Sequence, residues 1–316
     1  MNLENIKEFI LKNDNFAIIG HVNPDGDCIG SCLGLWYMLS SMGKKSKVLI
    51  SDDDVPNFLR FMWVSDASGD ENDKYDAYLC LDCADINRIA RGGDGFRACA
   101  ETACIDHHRT NVGFGGINAI FPDAAATGEI IYYLCKDTMG ISPKGDMADC
   151  LYTAIVSDTG GFKYSSTTGR TMRAGACLVE NGVDNAKIFK LLFDTYTQKQ
   201  MDIIGDITAT LTTHLDGKVA AIYVTDELLK ERDMRFDDVD FLVSMPRSIE
   251  GVEVGLFLKK KGDQVKVSLR SGDKVDVSKI AFSLGGGGHM RAAGITIDGT
   301  LEEAKAKVIE KIKEVL

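Results

Sequence analysis

Three groups suited to binding a metal ion, and unsuited to building a core, fall within seven residues: His21, Asp25 and Asp27 in His21-Val22-Asn23-Pro24-Asp25-Gly26-Asp27. An Asp is almost never fully buried unless paired, and these two follow an apolar run at 16–20. The stretch reads as half of a metal site. Its complement is found at Asp82, at Asp106-His107-His108 and at Asp158, each close behind another apolar run. Ligands in open α/β sheets gather at the carboxyl ends of parallel strands, so these four segments are expected to converge on one sheet edge. Five or six such ligands are too many for one ion and imply two. Ions ~3.5–4 Å apart form the clamp used for in-line phosphoryl chemistry, with a bridging water as nucleophile. Asp82 is the carboxylate expected to bridge the pair. Oxygen and nitrogen donors without thiolate favour Mn²⁺ or Mg²⁺ over Zn²⁺, Co²⁺ or Fe²⁺. Plainer uses exist for each residue taken singly. Asp27, just before Cys28, also reads as a helix N-cap, and a His-His pair is often merely packed or solvated. Caps alone, however, do not require His at 21 and 107.

The elements that must position these groups follow from periodicity. Short apolar runs at 16–20, 47–50, 77–81 and 103–105 read as strands. Helical patterns lie at 29–42, 55–63, 127–136 and 146–156, the first with Gly30, Ser31 and Gly34 for close packing. Strands alternating with helices imply a parallel sheet covered on both faces. From 169 the pattern is helical through 179, 188–193 and 199–213, and the interdomain connection is placed there. Alternating strands at 219–224, 252–258 and 265–269, a turn at Lys260-Lys261-Gly262-Asp263, helices at 277–284 and 301–315, and a last strand at 294–297 describe a smaller α+β domain with a mixed or antiparallel sheet. The expected division is 1–184, a helical linker 185–214, and 215–316.

Composition narrows the functional classes. The 316 residues are 26% charged and 45% hydrophobic, as in a globular protein rather than a disordered one. The N-terminal residues show no signal-peptide pattern, and no apolar run approaches the ~18 residues of a membrane span. Nine cysteines scattered through apolar segments read as reduced thiols, so a cytoplasmic location is expected. A net charge of −11 argues against long duplex nucleic acid, whose binding needs many cationic phosphate contacts. Between 250 and 291, however, eight Lys/Arg face five Asp/Glu, a local +3.

That basic window holds Leu284-Gly285-Gly286-Gly287-Gly288-His289. Glycines there permit backbone conformations that a Cβ forbids and expose N–H groups to a ligand, and a helix starting after the run would add its dipole. A bare glycine run is more often a flexible loop than a phosphate cradle. Arg270-Ser271 ends the preceding strand, and Arg offers a bidentate fork for phosphate. Arg109 reads either as a phosphate contact or as a solvent-facing ion pair. Cys80-Leu81-Asp82-Cys83 has CxxC spacing but reads as a buried thiol pair rather than a redox or zinc motif.

The motifs His21-Val-Asn-Pro-Asp25-Gly-Asp27-x-x-Gly30-Ser31, Asp82, Asp106-His107-His108, Asp158-Thr-Gly and Gly285-Gly-Gly-Gly-His289-Met-Arg-Ala-Ala-Gly294 together resemble the DHH phosphoesterase family with a DHHA1 C-terminal domain. Within it they are most similar to bacterial nanoRNases that also dephosphorylate phosphoadenosine phosphate. The resemblance implies that His21, Asp25 and Asp82 hold one ion, and Asp27, Asp82, His107 and Asp158 the other. It implies that His108 faces the scissile phosphate while Asp106 orients the ligand shell. Gly286, Gly287, Gly288 and His289, joined by Arg270 and Ser271, are implied to grip substrate in a cleft between the domains. Segment 164–168 departs from the family's Asn-Thr-Thr, with Ser166 and Gly169 standing for Asn and Pro. The implied activity is Mn²⁺-dependent hydrolysis, with Mg²⁺ or Co²⁺ as alternatives, of short oligoribonucleotides and nucleotide 3′,5′-bisphosphates by a protein whose relatives are often homodimers. Rival readings are a phosphodiesterase for cyclic-di-AMP or pApA, a family II pyrophosphatase, and a non-catalytic nucleotide-binding module.

Overall fold

The computed structural model describes every residue except Asp273, and His289 through its backbone alone. The chain divides into two units, Met1–Thr195 and Tyr196–Leu316.

The first unit runs α1 (Glu4–Lys12), β1 (Asn15–Ile19), α2 (Gly26–Ser41), β2 (Lys45–Val48), β3 (Ala77–Leu81), α3 (Gly93–Ala98), β4 (Thr102–Asp106), β5 (Ile117–Ile120), α4 (Thr127–Tyr133), α5 (Asp146–Asp158), α6 (Gly169–Glu180) and α7 (Asn185–Phe193). Its five strands are all parallel in the order β2-β1-β3-β4-β5. The inner strands β3 and β4 are buried along their whole length, as strands covered on both faces must be. Side chains alternate between the faces: Phe16 and Ile18 join a core with Ile10, Leu33 and Ile155, while Ala17 and Ile19 join another with Tyr78 and Phe96. From β1 the chain turns to β2 on one side and then crosses to β3 on the other. That reversal opens a crevice at the carboxyl ends of β1 and β3.

Two glycines let α2 lie close against α5. A Cβ on Gly30 would come within 2.5 Å of the Cys150 carbonyl oxygen, and one on Gly34 within 2.4 Å of Leu151 Cδ2. Gly26 abuts Ser157 in the same way. The start of α2 is thereby held beside the end of α5, which brings Asp27 and Asp158 together.

The second unit contains α8 (Gln198–Thr208), β6 (Thr212–His214), β7 (Val219–Thr225), α9 (Asp226–Glu231), β8 (Val254–Lys261), β9 (Gln264–Ser271), α10 (Val277–Ser283), β10 (Gly287–His289), β11 (Ala292–Asp298) and α11 (Leu301–Lys313). The sheet order is β10-β11-β9-β8-β7-β6, mixed because β7 and β8 are parallel and the other neighbours antiparallel. Lys261 pairs with Gln264, leaving a two-residue turn opened by Gly262 at φ +55°, a position that favours glycine. One sheet face packs on α10 and α11 through Val277, Ile280, Val308 and Ile312, the other on α8 through Ile203 and Ile207.

The α/β reading and the mixed second sheet agree with the sequence expectation, with local differences. Segment 55–63 is no helix but short 3₁₀ turns at Asp52–Asp54 and Asn57–Leu59, separated by Pro56, which lacks a backbone N–H and cannot continue a helix. The expected helix 127–136 is α-helical only to Tyr133 and then widens into a π-turn at Leu134–Thr138. Helix α8 stops at Thr208, and β6 occupies part of the segment read as helical. Helix α1 and strand β5 were not anticipated. Among the described residues no helix is long and apolar enough to cross a membrane.

Candidate metal centre

His21 lies two residues beyond β1, Asp82 directly after β3, Asp106 ends β4 with His107 and His108 following, and Asp158 ends α5. All meet at the crevice. Asp82 adopts φ +53° at 2% exposure; a non-glycine residue held there carries backbone strain of order 1–3 kcal/mol.

Asp25, not Asp27, is the N-cap of α2: its Oδ1 accepts from the amides of Asp27 and Cys28, both at 3.1 Å. Asp27 sits inside the first turn, where the cap reading does not apply. Its carboxylate accepts from Ser31 Oγ at 3.0 Å, the Thr127 amide at 2.7 Å and the Gly128 amide at 2.8 Å. The N-terminal amides of α4 thus hold an anion supplied by α2. Thr127 also donates its Oγ1 to Asp82 Oδ1 at 3.0 Å.

His107 Nε2 stands 3.4 Å from Asp158 Oδ2, 3.6 Å from Asp82 Oδ1 and 3.8 Å from Asp27 Oδ2. His21 Nε2 lies 3.5 Å from Asp82 Oδ2 and 3.9 Å from Asp25 Oδ1, its Nδ1 being 2.8 Å from the Val22 carbonyl. Asp82 therefore presents one oxygen to each histidine. Ligand atoms of Asp27, His107 and Asp158 lie within 4.8 Å of one another, as do those of His21, Cys28 and Asp82. Asp82 belongs to the second set and lies 3.6 Å from His107 of the first, so the two donor sets adjoin there.

Asp106 has a different task. Oδ1 accepts from the His107 and His108 amides at 2.8 and 3.2 Å and lies 2.7 Å from His108 Nδ1, while Oδ2 accepts from Asn111 Nδ2 at 2.7 Å. Fully buried, it shapes the turn that carries both imidazoles.

The electrostatics call for cations. Burial, reinforced by the charges of Asp82, Asp158 and Asp25, raises the Asp27 carboxyl well above the usual range. Burial, opposed by His107 and reinforced by Asp25 and Asp82, pushes Asp158 up to about 7. Burial disfavours charge on His108, yet its bond to Asp106 and the nearby Asp82 lift it to about 9. Burial likewise disfavours charge on His21, which Asp25 and Asp82 raise far above its ordinary value. Carboxylates crowded this closely and capped by imidazole fit a pair of divalent ions.

Arg109 is exposed and makes no hydrogen bond or ion pair among the described residues. Cys80 and Cys83 are buried free thiols. Thr168 of the divergent segment caps α6. In the second unit, Arg270 and Ser271 close β9, with Ser271 Oγ donating to the Met290 carbonyl at 3.3 Å. No helix begins directly after the glycine run. Helix α10 ends before it, and Gly287, Gly288 and His289 pair with Gly294, Ala293 and Ala292 as the edge strand β10. The dipole expected there is absent, and β10, as the edge strand of its sheet, presents its outer backbone edge instead. Gly286 is obligatory, since a Cβ would meet the Gly294 carbonyl at 2.2 Å. The His289 side chain lies outside the described residues.

Sequence reasoning missed Thr127, Gly128, Asn111 and Cys28. Thr127 and Gly128 follow Ala124-Ala125-Ala126 in the sequence and open a helical run, a signal that does not reveal what its amides hold.

A parallel α/β sheet whose switch-point crevice gathers paired carboxylates and imidazoles defines a metal-dependent hydrolytic centre. Residues 15–155 match the DHH family N-terminal domain and residues 197–316 the DHHA1 domain. The bifunctional oligoribonuclease and PAP phosphatase NrnA of Thermus thermophilus is 33% identical over 95% of this chain and 89% of its own length. Its Bacillus subtilis namesake is 25% identical over 90% of each. The crystal structure of an exopolyphosphatase-related protein from Bacteroides fragilis matches with a TM-score of 0.90 at 28% identity, covering 99% of this chain and 95% of that one. The chain belongs to the DHH family of metal-dependent phosphoesterases, with a C-terminal DHHA1 domain.

Proposed function

We propose that this protein is a two-metal phosphoesterase that hydrolyses short 5′-phosphorylated oligoribonucleotides to 5′-mononucleotides and 3′-phosphoadenosine 5′-phosphate to AMP. The observation that carries the reading is Asp82, whose two oxygens face His107 at 3.6 Å and His21 at 3.5 Å. His21, Asp25 and Asp82 would hold one ion, and Asp27, Asp82, His107 and Asp158 the other. Mn²⁺ is the ion best suited to the oxygen-rich set. When bound, the ions supply Lewis-acid charge for the phosphoryl group and a nucleophile at neutral pH.

The chain's own residues do the rest. Thr127, Gly128 and Ser31 fix the Asp27 carboxylate, so it need not reorganise. Asp106 holds His108 by Nδ1 and so fixes the ring, which would offset phosphate charge and give a proton to the leaving oxygen. In the second unit, the outer edge of β10 with Arg270 and Ser271 is assigned to phosphate and sugar contacts. The net charge of −11 supports short substrates over long duplexes.

The test is a side-by-side assay with Mn²⁺ on phosphoadenosine phosphate, 5′-labelled di- to pentanucleotides and cyclic-di-AMP. The expected outcome is turnover of the first two classes, with 5′-mononucleotides as products. Turnover of cyclic-di-AMP alone would overturn the assignment.

A further inference from the structure

Cys28 lies in the first turn of α2, one residue past Asp27, and is fully buried. A buried thiol is ordinarily a small apolar core residue. This one has unusual neighbours. Its Sγ shares a cluster with ligand atoms of His21 and Asp82, all within 4.8 Å of one another, and His21 and Asp82 are themselves only 7% and 2% exposed. Because His21 Nδ1 faces the Val22 carbonyl, Nε2 is the nitrogen turned to Asp82 Oδ2 at 3.5 Å. Tetrahedral coordination at the usual Zn–N and Zn–S bond lengths separates neighbouring ligand atoms by about 3.4–3.7 Å, so that edge is already close to ligand spacing.

A second observation comes from Gly20. Its φ is not positive, so its backbone does not require glycine. What it does require is room: a Cβ there would lie 2.3 Å from Cys28 Sγ and 3.7 Å from Cys32 Sγ. The missing side chain at the end of β1 is what lets the Cys28 thiol occupy its place beside His21. Cys32, one helical turn on and equally buried, belongs to neither donor cluster and serves as an internal comparison.

We propose that Cys28 supplies a sulfur ligand to the ion held by His21 and Asp82, which makes this half of the centre prefer borderline and soft divalent ions (Co²⁺, Zn²⁺, Cd²⁺) over Mg²⁺. The Sγ–H proton is released to solvent as the sulfur–metal bond forms, and nothing is oxidised. The other half, Asp27 with His107 and Asp158, offers only oxygen and nitrogen. The two halves therefore differ in softness. The inference rests on the reading that His21 and Asp82 hold an ion.

The test is Co²⁺ titration of the full-length metal-free protein, read by absorption spectroscopy, together with Cd²⁺ and Mn²⁺ affinities. A sulfur-to-cobalt charge-transfer band is expected. It disappears in Cys28→Ala and in the near-isosteric Cys28→Ser, whichever folds better, while the ligand-field bands persist, and it survives in Cys32→Ala. Cd²⁺ affinity falls roughly tenfold or more in the Cys28 variants, and Mn²⁺ affinity falls by a smaller factor. Ligand-field bands without a sulfur band in the wild type, or a sulfur band that persists in Cys28→Ala, overturn the sulfur ligand and leave the metal centre intact. A cobalt spectrum unchanged by Asp82→Ala overturns the metal centre itself, and the sulfur ligand with it.

Discussion

Asp82 faces His107 of one donor set and His21 of the other, and does so from a left-handed φ. Asp82→Ala should abolish turnover. The metal-free variant should melt no lower than the metal-free wild type, because a buried carboxylate among like charges costs stability when no cation is present. Thermal melts in chelator check this, and a collapsed fold would mean that Asp82 is structural. Thr127 acts through Asp82 and Asp27 rather than on substrate. Thr127→Val removes the Oγ1–H donor to Asp82 but keeps the amide to Asp27, so metal affinity should fall about 10–100-fold. Calorimetric titration reads that loss, and Thr127→Ser should restore it. The convergence of His21, Asp82, His107 and Asp158 was legible in the sequence because their joint placement behind apolar runs asks for more than helix caps. Thr127 and Gly128 were not, because they hold Asp27 mainly through backbone amides 100 and 101 positions away.

Helix α4 is the element that turns these amides toward the centre, and it is anchored from behind. Glu129, fully buried, accepts from the Ala125 amide at 2.9 Å and from Thr171 Oγ1 at 2.9 Å, and pairs with Arg170 Nε at 2.6 Å. Arg170 in turn reaches Asp123 at 3.0 Å. Arg170→Ala leaves the Glu129 carboxylate buried without its cation and should cost roughly 3 kcal/mol, measured by urea unfolding; a change within experimental error would mean that the pair does not anchor α4. At the α2–α5 contact, Gly30→Ala places a methyl against the Cys150 carbonyl and should cost about 1–3 kcal/mol. Strands β1 to β4, β7 to β9 and β11 and the helices α2 and α5 were readable from apolar periodicity. The π-turn after α4 and the short strand β10 were not: one depends on how a helix end packs, and the other on pairing that a glycine run does not encode by hydrophobic pattern.

At the scale of the molecule, an acidic chain concentrates Asp25, Asp27, Asp82 and Asp158 beside His21 and His107 at one crevice. Cations should therefore act as part of the folded state. Mn²⁺ at 100 times its dissociation constant should stabilise the wild type by about 2.7 kcal/mol for each ion bound, seen as a rise in Tm that chelator reverses. The two-unit architecture was legible as a change in texture, from buried runs in the first half to alternating strands in the second. The boundary between Thr195 and Tyr196 falls among consecutive helices, where no shift in pattern marks it. The most direct test of the central claim is metal stoichiometry by elemental analysis after equilibrium dialysis against Mn²⁺. Two ions per chain are expected for the wild type, one for Asp158→Ala and fewer than one for Asp82→Ala. A single ion in the wild type, or two ions retained by Asp82→Ala, would contradict the shared two-metal centre.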